Sequence, residues 1–258
     1  MTTWNANQYL RFADERTRPS RDLAAQVSVE NVRSVIDLGC GTGNSTAVLA
    51  ERWPQASITG LDNSAEMLQE ARAGNPNGTW VLADIAKWAA GEGGSYDVVF
   101  SNAALQWVPD HAVVFAKLFS RVASGGALAI QMPVFDSPAH RLSRSMAVSQ
   151  RWSHRFPGGA TGDWNTHDTS YYYDLLAPLS GRLDLWETQY MHVMNAPGDV
   201  VEWYKGTGLR PFLAALKDGD ERNQFLAEYL AGLESLYPRR RDGRVLFPFG
   251  RIFLVAYR

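Results

Sequence analysis

Residues 35–46 read Val35-Ile36-Asp37-Leu38-Gly39-Cys40-Gly41-Thr42-Gly43-Asn44-Ser45-Thr46. The apolar run Val35 to Leu38 suits a strand buried in a parallel sheet. Gly39, Gly41 and Gly43 then allow a tight turn whose backbone can approach a ligand closely. Asn44, Ser45 or Thr46 can cap the helix that follows, which is predicted to run to about Trp53 and stop at Pro54. A helix begun in this way offers its first N–H groups to a carboxylate or another anionic group.

Outward from this stretch the strand and helix patterns repeat. Ser57 to Asp62 is a second strand, followed by the amphipathic segment Ala65 to Arg72. A third runs from Gly78 towards Asp84 and Ile85, and Tyr96 to Asn102 is a fourth. Past Ala103, Ala104, Leu105, Gln106 and Trp107, a helix is predicted up to Ser124 and ended by Gly125-Gly126. Ala127 to Met132 forms a fifth strand closed by Pro133. Strand and helix in such succession imply an α/β fold with a Rossmann-like, doubly wound sheet. The alternating residues 183–193 and the apolar run around 251–256 add two strands, giving a mostly parallel sheet of seven.

Three segments depart from the repeat. Residues 1–30 read as an N-terminal helical cover of two short helices, the second starting near Pro19-Ser20 and burying Leu23, Ala24 and Val27. Residues 134–180, rich in aromatics, Arg and His, read as a helical cap inserted after the fifth strand, and 195–244 as a further helical segment. All of these are assigned to one domain spanning 1–258.

Composition narrows the function. With 45% hydrophobic and 20% charged residues and a net charge of −2, the chain is an ordinary globular protein and lacks the basic excess of a nucleic-acid binder. The run Arg239-Arg240-Arg241 is followed by Asp242 and reads as a solvated loop. The single cysteine, Cys40, excludes an internal disulfide and is a poor seed for a metal site. No apolar run approaches membrane-spanning length and the N-terminus lacks signal-peptide character, so a cytoplasmic location is expected, with no membrane or nucleic-acid partner and the oligomeric state open.

Spacing separates two uses of the glycine turn. A dinucleotide fingerprint would place its third glycine at the position of Asn44. Asp37-Leu38-Gly39-Cys40-Gly41-Thr42-Gly43 instead resembles motif I of class I S-adenosylmethionine-dependent methyltransferases. That resemblance implies that Asp37, Gly39, Cys40, Gly41 and Gly43 cradle the methionine end of the cofactor. It favours Asp62, with Asn63, as the acceptor for the ribose hydroxyls, although Asp62 also suits a helix cap. Asp84 is a candidate for the adenine amine or, equally, a loop cap, with Met67 and Ile85 packing on the ring. Asn102, Ala103 and Trp107 follow the strand beside the turn, and Tyr9 and Arg16 are candidates for a cover over the cofactor. Ser101-Asn102-Ala103-Ala104 lacks the Asn/Asp-Pro-Pro-aromatic pattern of amino-nitrogen methyltransferases, which disfavours a DNA base as acceptor.

Separated stretches resemble one family within that class, the trans-aconitate 2-methyltransferases. They are Trp4-Asn5 with Tyr9-Leu10, Arg16 to Pro19, Asp37 to Thr46, Asn102-Ala103 with Leu105 to Trp107, Gln131 to Pro133, Gly206 to Pro211, and Arg251 to Ala256. The resemblance implies methyl transfer from S-adenosylmethionine to a carboxylate, giving a monomethyl ester and S-adenosylhomocysteine. Two alternatives remain: a methyltransferase for another small carboxylate or metabolite oxygen, and a noncatalytic S-adenosylmethionine-binding module. A polycarboxylate calls for the forked donors of arginine. Arg210, in the turn before Pro211, is the first choice, with Arg144, Gln106, Tyr173 and His192 as further substrate candidates and Arg155 and Arg251 behind them. Because a carboxylate is already ionised near neutral pH, no general base and no metal is expected.

Overall fold

The computed structural model describes residues 13–158, 164–217 and 219–258, with side chains described from residue 17 onward. The described chain begins with helix α1 (Ala13–Gln26). Five strands then alternate with helices: β1 (Ser34–Leu38), α2 (Asn44–Arg52), β2 (Ser57–Asp62), α3 (Ala65–Gly74), β3 (Thr79–Leu82), α4 (Ile85–Ala90), β4 (Tyr96–Asn102), α5 (His111–Ser120) and β5 (Val122–Pro133). Beyond them lie α6 (Pro138–Ala147), α7 (Thr169–Leu176), β6 (Arg182–Met194), α8 (Pro197–Lys205), α9 (Arg210–Ala215), α10 (Gly219–Leu236) and β7 (Val245–Tyr257).

One sheet joins seven strands in the order β3-β2-β1-β4-β5-β7-β6. Strands β1 to β5 pair in parallel, while β7 runs antiparallel to β5, from Ala127 opposite Tyr257 to Pro133 opposite Arg251. Strand order reverses at β1, between β2 and β4, and open α/β sheets bind ligands at the carboxyl ends of strands flanking such a switch. The glycine turn follows β1 at that edge.

The chain divides into two compact units. One, residues 16–133, 165–188 and 251–258, holds the parallel strands; its core is built from Val35, Ile36, Leu38, Val98, Val99, Phe100 and Leu128 to Ile130. The other takes the described residues among 134–164 and 189–250, with 13–15, and has an aromatic core in which Trp152, Phe156, Trp203, Tyr204, Phe225, Tyr229 and Phe247 are buried together. Residues 134–164 of the segment read as a cap therefore fall in the second unit, and 165–188 in the first.

Three local expectations are corrected. Helix α1 already runs from Ala13, with Pro19 inside it: a proline removes one backbone bond, and here Pro19 is buried while Ser20 Oγ donates to Thr17 O at 2.7 Å. Helix α5 stops at Ser120, and Gly125-Gly126 lies within β5, where Gly125 has φ 78° and the β4–β5 register shifts between Tyr96 and Val98. Helix α2 has Gly43 in the left-handed region at its start and no side-chain cap, so Asn44, Ser45 and Thr46 do not cap it.

Candidate active site

Asp37, one residue before the end of β1, has no solvent exposure, and the two hydroxyls expected as caps turn back onto it. Ser45 Oγ and Thr46 Oγ1 donate to Asp37 Oδ2 at 2.7 and 2.6 Å. Burial pushes the Asp37 carboxyl up to about 6 against the pull of these two bonds, and the charge of Asp62 adds to the rise. The next residues need the freedom of glycine, since Gly39, Gly41 and Gly43 all have positive φ, and a Cβ on Gly39 would overlap that of Ala104. Cys40 is buried inside the turn. Burial, then the carboxylates of Asp37 and Asp62, push its thiol far up, so it stays protonated and is no nucleophile.

Asp62 ends β2 and ties the turn to the sheet. Its Oδ2 accepts from Gly41 N–H at 2.9 Å, and its Oδ1 accepts from Ser64 N–H at 2.8 Å. Each oxygen keeps a second lone pair. The cap of α3 is Ser64, through Met67 N–H, so the capping role considered for Asp62 belongs to its neighbour. Asn63 is exposed and Met67 buried. Asp84 caps α4, accepting from Lys87 N–H at 2.9 Å through Oδ1, and Ile85 is buried beside Gly39.

At the end of β4, Ser101 Oγ donates to Leu38 O at 2.9 Å, fixing this strand end against the turn. Ala103 takes φ 56°, Gln106 is buried with Nε2 donating to Ala103 O at 2.6 Å, and Trp107 is exposed. Asp37 pairs with Phe100, and Asn102 with Gln131, so the side chains of Asp37, Asn102 and Gln131 share one face of the sheet.

Four buried polar atoms around this turn have no hydrogen-bond partner among the described residues: Asp37 Oδ1, Thr42 Oγ1, Asn44 Nδ2 and Asn102 Oδ1. Buried polar groups are nearly always satisfied, so this concentration points to a ligand. Two pure acceptors, a hydroxyl and an amide donor, beside an uncapped helix start, match an ammonium and a carboxylate carried on one carbon, as in the methionine end of S-adenosylmethionine. Among the described residues no group of three or more His, Cys, Asp or Glu is placed to hold a metal ion.

The remaining candidates are more scattered. Tyr9 lies outside the described residues, as does the side chain of Arg16. In the unit with the parallel strands, Tyr173 is exposed while its neighbour Tyr172 is fully buried, its hydroxyl 2.8 Å from His111 Nδ1, and is part of the core. In the other unit, Arg144 lies on α6 and donates to Phe135 O at 3.0 Å, and Arg210 begins α9. His192 is buried on β6 against the rings of Trp203, Phe247 and Phe249. Arg155 pairs with Glu221 at 2.6 Å, and buried Arg251 donates to Gln131 Oε1 at 3.1 Å. Sequence reading passed over His140, Ser137 and Tyr204, which form a buried hydrogen-bonded group in this second unit. The available signal was Ser137-Pro138, a cap followed by proline at the first helical position, which places residue 140 in the first turn.

A family model described as a methyltransferase domain matches residues 35–126, the stretch from the glycine turn to the start of β5. Proteins named trans-aconitate 2-methyltransferase match from end to end. That of Azoarcus sp. (strain BH72) is 50% identical over 100% of both chains, and that of Rhodopseudomonas palustris (strain BisB5) is 48% identical over 99% of each. The chain belongs to the trans-aconitate 2-methyltransferase family. Among solved structures, Haemonchus contortus phosphoethanolamine N-methyltransferase 2 in complex with S-adenosyl-L-methionine has a TM-score of 0.55 at 16% identity, covering 93% of this chain and 52% of that one. Coclaurine N-methyltransferase bound to N-methylheliamine and S-adenosylhomocysteine has the same TM-score and identity, over 94% of this chain and 72% of that one. At such identity these two show the shared fold alone.

Proposed function

We propose that the chain transfers the methyl group of S-adenosylmethionine to a carboxylate of trans-aconitate, yielding the monomethyl ester and S-adenosylhomocysteine. The cluster of unpartnered polar atoms at the glycine turn carries the reading for the donor, and the end-to-end relatives carry it for the acceptor. S-adenosylmethionine, when bound, supplies an electrophilic methyl on a positively charged sulfur. Asp37 Oδ1 and Asn102 Oδ1 would accept from its ammonium, Thr42 and Asn44 would meet its carboxylate, and Asp62 would take the ribose hydroxyls with the lone pairs left by Gly41 and Ser64. Met67 and Ile85 supply apolar surface for the adenine.

The acceptor needs little chemical help. A carboxyl with a pKa of about 4 is ionised at neutral pH, so no residue has to remove a proton before its oxygen attacks. The protein's part is to align two oppositely charged reactants and strip water from the attacking oxygen. The nonreacting carboxylates are held by forked or charged donors, for which Arg144 and Arg210 are the proposed residues, with Gln106, Tyr173 and His192 in positional roles. No catalytic base and no metal is assigned. No described helix is long and apolar enough to cross a membrane, and a cytoplasmic location accords with the composition.

The test is methyl transfer from labelled S-adenosylmethionine to a panel of di- and tricarboxylates and of hydroxylated metabolites. The expected product from trans-aconitate is a base-labile ester that releases labelled methanol. Transfer to a hydroxyl acceptor alone, giving a base-stable ether, or tight S-adenosylhomocysteine binding without transfer to any member of the panel, would overturn the proposal.

A further inference from the structure

We propose that His140 holds one carboxylate of the acceptor through its Nε2–H, and that Ser137 and Tyr204 fix the tautomer that leaves this proton available. The inference rests on the carboxylate-acceptor reading above and assigns a binding residue in the unit built from 134–164 and 189–250.

Helix α6 begins with Ser137 as its cap, Oγ accepting from His140 N–H at 3.3 Å, and Pro138 follows at the first helical position. The cap brings the imidazole back over the hydroxyl, with Ser137 Oγ 2.8 Å from His140 Nδ1 and 2.8 Å from the Tyr204 hydroxyl of α8. Counting protons assigns their directions. Ser137 Oγ has one proton and two lone pairs, one of them used by the backbone N–H of His140. If Nδ1 carried the imidazole proton and gave it to Ser137, the serine proton would go to Tyr204, and the tyrosine's own proton would have no acceptor among the described residues. Tyr204 is nearly fully buried, and among the described residues its hydroxyl hydrogen-bonds Ser137 and, at 3.3 Å, His140 Nδ1. With Tyr204 donating to Ser137 and Ser137 donating to Nδ1, every one of these groups is satisfied. The imidazole proton then sits on Nε2.

That Nε2 is buried, and no described group pairs with it. The ring is 4% exposed and lies against Phe135, Trp164 and Tyr204. A purely structural histidine at this place would leave its strongest donor unmet in an aromatic box, whereas a phenylalanine would fill the space without that penalty. Arg144, one turn further along α6, lies on the same face of the helix as His140. Burial first, and the Arg144 charge second, hold the imidazole down at about 3, so it is neutral under working conditions. A neutral N–H donor with a guanidinium beside it is a match for a carboxylate. It binds the anion without adding a second fixed charge to the buried aromatic surroundings.

The experiment combines kinetics on His140→Phe and Tyr204→Phe with nitrogen-15 histidine NMR of the full-length wild type titrated with trans-aconitate. His140→Phe is expected to raise the KM for trans-aconitate about tenfold to a hundredfold, the loss of one hydrogen bond to a charged group, with the KM for S-adenosylmethionine changed less than about twofold. Tyr204→Phe releases the tautomer and is expected to raise the acceptor KM by a smaller factor. The chain has five histidines, so the His140 signal is identified by its absence from the His140→Gln spectrum. Its Nε2–H proton is expected to shift downfield on addition of trans-aconitate, a response that packing alone would not produce. An unmoved signal at saturating trans-aconitate, or an unchanged acceptor KM in a folded His140→Phe variant of lowered Tm, would overturn the assignment. Should the variants fail to fold, the wild-type titration decides. If the wild type methylates trans-aconitate while these results are negative, only the His140 assignment falls; if the wild type methylates no carboxylate, the function reading itself falls.

Discussion

Thr46→Val is expected to destabilise the protein more at pH 8 than at pH 5. The Thr46 hydroxyl donates to Asp37 Oδ2 at 2.6 Å inside a core where Asp37 has no exposure, and Ser45 is the only other side chain seen bonding that oxygen among the described residues. Burial raises the Asp37 carboxyl to about 6, so it is mostly protonated at pH 5 and ionised at pH 8. A hydrogen bond to an ionised group contributes about 1.5–3 kcal/mol, and one to a neutral group about 1 kcal/mol. Valine keeps the shape of threonine, so the cavity term is small, and the two losses differ by roughly 0.5–2 kcal/mol between the two pH values. By linkage that difference is an upward move of the Asp37 pKa by about one unit.

The sign follows from the direction of the shift. A carboxyl whose folded pKa lies above its unfolded value contributes stability at low pH that is lost as pH rises through the folded value. For the wild type the window runs from the ordinary aspartate value of 3.8 to about 6, and Thr46→Val extends it upward. Urea unfolding of both proteins at pH 5 and pH 8, with unchanged m-values, measures the effect. Equal destabilisation at the two pH values, or none at pH 8, would refute a charged Asp37 held by these hydroxyls.

Binding of S-adenosylhomocysteine near pH 6 should release protons, since an ammonium beside Asp37 draws its pKa down; calorimetry in buffers of different ionisation enthalpy reads the proton count, and zero release would place the ammonium elsewhere. Asp62→Ala should weaken S-adenosylhomocysteine about tenfold to a hundredfold, because both the proposed ribose acceptor and the anchor of Gly41 N–H are lost. Unchanged affinity in a folded variant would remove Asp62 from the site. The turnover rate at saturating substrate should stay flat from about pH 6.5 to 8.5, and His192→Asn should leave the shape of that profile unaltered. An ionisation near pH 6.5 that disappears in His192→Asn would establish a base.

What the sequence made legible is local. The apolar run before Asp37, the three glycines and the carboxylates ending β2 and near the end of β3 lie within short windows, and their strands pair as that pattern implies. Sequence and structure part where one residue type serves two kinds of bond. Ser45 and Thr46 carry the signature of helix caps, yet they stand eight and nine positions beyond Asp37, and only the folded turn shows that their hydroxyls face its carboxylate instead of the helix N–H groups. Gly125-Gly126 reads as a helix end in sequence because glycine marks helix ends and strand bulges alike. His140 is hidden in the sequence for a different reason. Its cap is adjacent in sequence, but the proton count that leaves Nε2 as a donor depends on Tyr204, sixty-four residues away. An imidazole's chemical role is set by the partner of its other nitrogen, so wherever that partner is distant in the chain the residue alone reads as an ordinary core histidine.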